Sequence, residues 1–401
     1  MKKSLKTQFA LDALLYTFTA FGGPQAHLGF MIRQFVHKRN YLSEEELLEL
    51  NALAQVLPGP SSSQTLAGLA YKIGGLYYAI GIYLIWMLPS ALMMCLAAIF
   101  FQTIELNIRG ARVLLFIESM GVSFVAYAAW SLFQRSVKSV LFYVLVLISL
   151  LLTLALNTPY IFPLMILLGG LTASAFKAAP DEKQLSTNLL VNINRYKFFY
   201  FIGIFIFFAL MGALINRTSP FSLPVRLFQN FYRNGIFIYG GGQVLVPYMF
   251  TEFVSVKHYL SSQEFLSGYA LQQAIPGPTF SFTSFVGAMS MGNSGYSLWG
   301  QIAGSILAVI GINSPGLILM LFIVPFWEEL KKITHVKNSL SGITAVSVGF
   351  ILAAIVLLFN QVHTSFLSIS VMILTFLLLC FTKVPAPALI LLGLICGYIF
   401  K

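Results

Sequence analysis

The residues able to do chemistry cluster around two short motifs. Leu57-Pro58-Gly59-Pro60 leads into Ser61-Ser62-Ser63-Gln64, and Ile275-Pro276-Gly277-Pro278 leads into Thr279-Phe280-Ser281. Two glycine breaks lie upstream of them, Phe21-Gly22-Gly23-Pro24-Gln25 and Tyr239-Gly240-Gly241-Gly242-Gln243. Each break precedes a helix start, whose free N–H groups and positive dipole end favour an anion. The glycines at these points (Gly22, Gly23, Gly59, Gly241, Gly242 and Gly277) let a ligand approach the backbone closely. The side chains placed there are neutral donors: Gln25, Ser61, Ser62, Ser63 and Gln64 first, then Gln243, Thr279, Ser281, Thr283 and Ser284. Together they form a candidate substrate-binding cradle for a tetrahedral oxyanion, which accepts many hydrogen bonds. Such a ligand needs no fixed counter-charge when several helix ends share it. The competing reading is that Gly and Pro only make tight helix crossings, with Ser and Thr capping the new starts.

Few titratable groups lie near these motifs. His27 stands three residues past Pro24, one turn into the helix that the break opens, and its counterpart in the second copy is Leu245. A histidine titrates near neutral pH, so it can carry a proton or donate to an oxyanion. A packed histidine bonded to a neighbouring helix is the alternative. Glu118 is the second proton-coupling candidate, because a carboxylate inside the apolar run Val113 to Trp130 is expensive unless it is used or shielded. Asp12 is placed similarly. Arg33 faces His37 by helical spacing, where its long stem can snorkel to the surface. Glu46 and Glu264 read as helix caps.

The elements that must position these residues come in two copies. From residue 21 to residue 64 every break recurs at one offset of 218, without a gap: Gln55 pairs with Gln273, and Tyr41 to Ser43 with Tyr259 to Ser261. After an insertion around Gly292 to Gly300 the match resumes at offset 226, since Pro89 pairs with Pro315 and Phe124 with Phe350. The chain is an internal duplication, and each copy holds two interrupted helices.

Composition sets the class. The chain is 58% hydrophobic and only 9% charged, with a mean hydropathy of +0.84, whereas a soluble domain carries about 25% charged residues. An all-α polytopic membrane protein is expected. The basic start, Met1-Lys2-Lys3, lacks a small-residue cleavage site after a short apolar core and reads as a retained cytoplasmic end. The net charge of +11 is scattered over short loops between apolar spans; that is the positive-inside pattern and not a nucleic-acid surface. Cys95, Cys380 and Cys396 fall inside apolar runs without metal-site or redox spacing. There is no P-loop, no H-E-x-x-H, no G-x-S-x-G and no acidic cluster of the kind that holds a metal, so neither a cofactor nor a metal is expected.

In chain order, half-helices of about 13 to 15 residues flank each break, roughly 20 Å each, too short to cross a bilayer alone. Two such pieces make either one broken transmembrane helix or one re-entrant hairpin. Full spans are expected at 76–104, 110–134, 139–157 and 160–177, and again at 298–327, 338–359, 364–381 and 384–400. Residues 1–177 form a first repeat, 178–197 a polar cytoplasmic linker, 198–215 a connecting transmembrane helix and 216–401 a second repeat. The single connecting span places the two copies in opposite orientations. The basic residues agree: Lys177, Lys183, Arg195 and Lys197 go inside with Lys331, Lys332 and Lys337, and the loop near Glu105 to Arg109 goes outside. An inverted repeat is the usual plan of secondary transporters.

At these residues the sequence resembles the chromate transporter family of bacterial and fungal membrane proteins. The matching features are Phe21-Gly22-Gly23-Pro24 with Ala26, His27 and Met31, then Ala52 to Gln55 with Leu57-Pro58-Gly59-Pro60-Ser61. The second copy adds Gly240 to Gln243, Pro247, Gly268-Tyr269-Ala270 and Gln273 to Pro278. The resemblance covers the whole chain and is to the long, two-domain form. It implies efflux of chromate from the cytoplasm, with sulfate as the isosteric competitor and an ion gradient as the driver in place of ATP. Arg39-Asn40-Tyr41 stands where the family has two basic residues before Trp or Tyr, a departure that touches no proposed ligand. Another divalent oxyanion such as sulfate, a passive anion channel, and a membrane enzyme acting on a phospholipid-like substrate are the other readings; the missing catalytic constellations disfavour the last. The bilayer is the expected surrounding, and a homodimer is left open. The topology is directly testable: a cysteine at Asn107 should label from outside and one at Thr334 from inside. Labelling of both from one side would remove the inverted repeat.

Overall fold

The computed structural model describes residues 5–21, 23–105, 108–156, 158–176, 222–239, 242–326, 334–362, 365–382 and 384–399, with isolated positions between 203 and 211. The linker 178–197 and most of the connecting span 198–215 lie outside the described residues. Among the described residues there are helices and no strands. The first half contains α1 (Leu5–Thr19), α2 (Gly23–Met31), α3 (Glu44–Val56), α4 (Ser61–Gly74), α5 (Leu76–Glu105), α6 (Ile108–Ser136), α7 (Val140–Leu156) and α8 (Ile161–Phe176). The second contains α9 (Ser222–Phe237), α10 (Leu245–Met249), α11 (Ser262–Ala274), α12 (Phe282–Asn293), α13 (Leu298–Ile323), α14 (Thr334–Phe359), α15 (Phe366–Phe381) and α16 (Ala386–Ile399).

The repeat persists in backbone detail. α2 widens into a π-helical turn over Ile32–Lys38, and α10 does the same over Phe250–Val256. The left-handed residues Asn40 and His258 follow at the same offset, with φ of 51° and 53°. Ser43 with Glu46, and Ser261 with Glu264, close complete capping boxes at the starts of α3 and α11, as the sequence led one to expect. Each box satisfies helix N–H groups that would otherwise be unpaired. One difference appears after the second Pro-Gly-Pro: the chain passes through a tight 3-10 turn, Thr279–Ser281, before α12, whereas α4 starts directly at Ser61.

The interrupted elements are helical hairpins. Glu46 at the start of α3 pairs with Lys72 at the end of α4 at 3.8 Å, which two collinear half-helices would hold far apart. Asn293 Nδ2 at the end of α12 likewise donates to both carboxylate oxygens of Glu264, at 2.9 and 3.1 Å. α1 and α2 fold back in the same way, with Asp12 against Arg39 and Phe9 against Phe35. In the second copy Arg233 of α9 reaches Glu252 at 2.7 Å, and the rings of Phe231 and Phe253 stack at 4.5 Å. The reversal comes from glycine: Gly59 and Gly277 both sit at φ 110°, a conformation that side chains rarely adopt.

Around the hairpins stand the long helices. Leu76–Gln102, Phe116–Gln134, Leu298–Ile323 and Ser341–Phe359 are long and apolar enough to cross a membrane. On α5 the exposed residues Leu84, Leu88, Leu92, Leu96 and Phe100 recur every fourth position, one apolar stripe facing outward. The two halves are interleaved. α6 packs on α15 and α16, while α14 packs on α7 and α8. Ser123 Oγ donates to the Met372 carbonyl at 2.8 Å, and Ser149 Oγ to that of Val346 at 3.1 Å. Small residues allow the crossings, for a Cβ on Gly342 would collide with the Gly169 carbonyl.

Glycine substitution separates backbone strain from packing. A Cβ at Gly59 would stand 2.9 Å from Gln64 Nε2 and 3.3 Å from Gly316 Cα, whereas Gly75, at φ 82°, has open space around it. Both alanine variants carry strain of about 1–3 kcal/mol, and only Gly59→Ala adds a collision. Thermal unfolding in detergent should therefore show the larger loss for Gly59→Ala; equal losses would mean that the loop does not press on α13.

Candidate functional site

The breaks of the two halves meet, and backbone hydrogen bonds join them crosswise. Gly59 N–H donates to the Ile238 carbonyl at 2.7 Å, and Gly277 N–H donates to that of Ala20 at 2.9 Å. Ala20 and Ile238 follow the last residues of α1 and α9, where a helix leaves its final carbonyls without intrahelical partners. Each Pro-Gly-Pro loop thus completes the helix end of the other half. Each loop also lies on the proline-containing long helix of the other half: Gly59 against Gly316 of α13, and Gly277 against Ser90 of α5. Gly242 presses on Thr279, and α2 packs against the 3-10 turn Gly242–Val244. All the sequence breaks therefore share one region.

At the start of α4 the first half builds a polar cluster. His27 is buried, with Nδ1 3.2 Å from Ser62 Oγ and Nε2 without a protein partner. Trp86 Nε1 donates to Ser63 Oγ at 2.9 Å. Trp86 also stacks on Tyr16 at 4.4 Å, and the two rings meet the His27 imidazole edge-on. Tyr16 OH reaches the His27 carbonyl at 3.4 Å. Gln64 departs from the sequence reading of a free donor. Its Nε2 is held by the Pro58 carbonyl at 2.6 Å, leaving the buried Oε1 unpaired. Gln64 thus braces the turn and presents an acceptor, which an anion does not favour. Ser63 accepts from Trp86 and is likewise more brace than open donor.

In the second half, Thr283 Oγ1 and Ser284 Oγ bond to the carbonyls of Phe280 and Ala91, so both are committed to packing. Ser281 is fully buried, and its Oγ has no partner; Thr279 lies against Gly242. Ser61 is buried at the first position of α4. Gly23 opens α2. Gly22 and Gly241 fall outside the described residues, as do the side chains of Gln25 and Gln243. Glu118 is buried on α6, one turn before Gly121, where α6 crosses α11, and α6 also touches the turn Gly242–Val244.

Asp12 has a structural explanation. Arg39 Nε, Gln34 Nε2 and Tyr41 OH all converge on its carboxylate, at 2.8, 3.3 and 2.6 Å, which ties the first hairpin at its base. Arg33 lies over the Phe30 ring at 5.6 Å. The three cysteines are free, and no group of potential metal ligands occurs among the described residues. Trp86, Tyr16 and Ser90 were missed by reading the sequence; each stands in an apolar run with nothing local to single it out.

Two copies of one helical unit, wrapped in apolar helices and gathering their interruptions at one place, point to a multi-pass membrane protein. The chain belongs to the chromate transporter family, whose sequence model matches residues 7–174 and again 225–398. It is 26% identical to a probable chromate transport protein of Synechococcus elongatus, over 95% of this chain and 92% of that one. A chromate transport protein of Cupriavidus metallidurans is 24% identical, over 94% and 89%. An uncharacterized transporter of Methanocaldococcus jannaschii is 26% identical, over 95% and 90%. No solved structure matches the chain.

Removing one partner of Asp12 tests its role. Arg39→Met should lower thermal stability by about 1–3 kcal/mol while transport per folded molecule stays unchanged. Lost transport at unchanged stability would make the pair functional.

Proposed function

We propose that this protein is a secondary active transporter that exports chromate across the cytoplasmic membrane at the expense of an ion gradient. The observation that carries this reading is the meeting of helix starts from both halves, with His27 Nε2 and Ser281 Oγ buried there and unpaired, in a chain of the chromate transporter family. Relatives named as chromate transport proteins cover most of the chain. A buried donor without a partner is costly, and an oxyanion would pair several at once. Helix N-termini supply further N–H groups and the positive ends of their dipoles, so no fixed cation is needed.

Sulfate has the same charge and tetrahedral shape and would compete for the same groups. The hairpins would enter the bilayer and return on one side, with their tips near the midplane. The halves would be inverted, because the connecting span 198–215 makes the number of crossings between matched elements odd. His27 and Glu118 remain the candidates for coupling to a proton gradient.

Inside-out vesicles carrying the protein should accumulate chromate above equilibrium when energised. Sulfate should inhibit uptake, and collapsing the ion gradient should stop it. Equilibration without accumulation would instead indicate a passive anion channel, and no chromate flux at all would assign the family machinery here to another solute.

A further inference from the structure

The duplication supplies an internal control for the cluster around His27. The fold builds the same hairpins twice, yet the residues matching His27, Ser62, Gln64 and Trp86 are Leu245, Phe280, Phe282 and Ile312. These four have apolar counterparts, whereas Ser61 and Ser63 match Thr279 and Ser281. Both copies nevertheless form the same π-helical turns, capping boxes and glycine reversals. Outside the start of α4, where the second copy has a 3-10 turn instead, the shared frame forms without His27 or Trp86.

Two facts set what the cluster presents to a ligand. His27 is 1% exposed, Nδ1 is 3.2 Å from Ser62 Oγ, and Nε2 makes no hydrogen bond of ordinary geometry, with the Ala20 backbone close enough to act on the ring. A neutral imidazole carries one N–H, and the bond made by one ring nitrogen sets the state of the other. If Nδ1–H donated to Ser62, Nε2 would be a bare lone pair that repels an anion. If Ser62 donates its hydroxyl proton to Nδ1, Nε2 carries the hydrogen and becomes a donor. The helix start favours the second arrangement. Ser62 lies in the first turn of α4, where Oγ lone pairs turned toward the open backbone N–H groups would leave its hydroxyl proton to His27. Trp86 restricts the ring further, packing edge-on to it at 5.4 Å while holding neighbouring Ser63 through its N–H.

We infer that Ser62 is a positioning residue that fixes His27 as the Nε2–H tautomer, and that this N–H is the donor a tetrahedral oxyanion meets, in the first half alone. This rests on the transport reading above, but the tautomer can be measured without transport. It also changes the part given to Ser62: the residue acts through His27 and is not one of several equal hydroxyl ligands. The second half then contributes backbone and Ser281 but no histidine, so the two halves would meet one anion unequally.

The test uses the full chain, labelled with 15N-histidine, in lipid bilayers, with the His27 signal assigned by its loss in His27→Gln. The wild type should show a neutral ring with a protonated Nε2 and a bare Nδ1, and sulfate should shift the Nε2 resonance. Ser62→Ala should give a mixture of tautomers and weaken sulfate binding by about three- to tenfold, the scale of one lost hydrogen bond. Ser62→Thr, which keeps the hydroxyl, should restore both. A protonated Nδ1 in the wild type would overturn the inference, and this reading needs no variant to fold. So would a Ser62→Ala ring and affinity identical to wild type, or a His27 signal that saturating sulfate leaves untouched while transport proceeds. Failure of the transport reading would look different, as the expected wild-type tautomer in a protein that moves neither chromate nor sulfate.

Discussion

The structure depends on the disposal of backbone polar groups where its helices stop. In a bilayer no water reaches such groups, and each one left unpaired costs several kcal/mol. The protein answers by exchange between its halves: the loop N–H of Gly59 takes the open carbonyl at the end of α9, and that of Gly277 takes the one at the end of α1. Neither half can complete these bonds by itself. Glycine at both positions allows the reversal, and small residues on the facing helices, Gly316 and Ser90, allow the approach. The hairpins, the interleaving of α6 and α14, and the gathering of the breaks are all compatible with this one exchange.

An arrangement that satisfies most of its buried groups makes the few unsatisfied ones informative. Asp12, Glu46 and Glu264 are fully explained as a hairpin tie and two caps. His27 Nε2 and Ser281 Oγ are among the buried atoms without a hydrogen bond of ordinary geometry, and both lie next to a break. Duplication sharpens the contrast. It reproduces the scaffold closely but leaves the His27 cluster in one copy, so the two halves share a frame while differing in chemistry.

Much of the frame was legible in the sequence because duplication writes every signal twice. The capping boxes, the Pro-Gly-Pro turns and the long spans carry local signatures, and their boundaries fall within a few residues of those read from the chain. That the two arms of a break lie side by side was not legible, since it rests on contacts such as Glu46 with Lys72 that no local pattern encodes. Asp12 looked like an isolated intramembrane acid because its partner Arg39 lies on the other arm of the hairpin. Trp86 looked like one more apolar residue in an apolar helix, and only the fold brings its N–H to Ser63. Residue type makes Gln64 a donor and does not reveal that the Pro58 carbonyl takes its N–H.

The central claim is that helix starts at the meeting breaks hold the oxyanion, and selenate, a heavier tetrahedral isostere, gives the most direct view of it. Crystals grown with selenate should show one strong anomalous peak beside His27 Nε2 and the first turn of α4, lost when excess sulfate is added. Peaks only at surface basic residues such as Lys38 or Lys257, with the break region empty at a concentration that inhibits transport, would contradict the account.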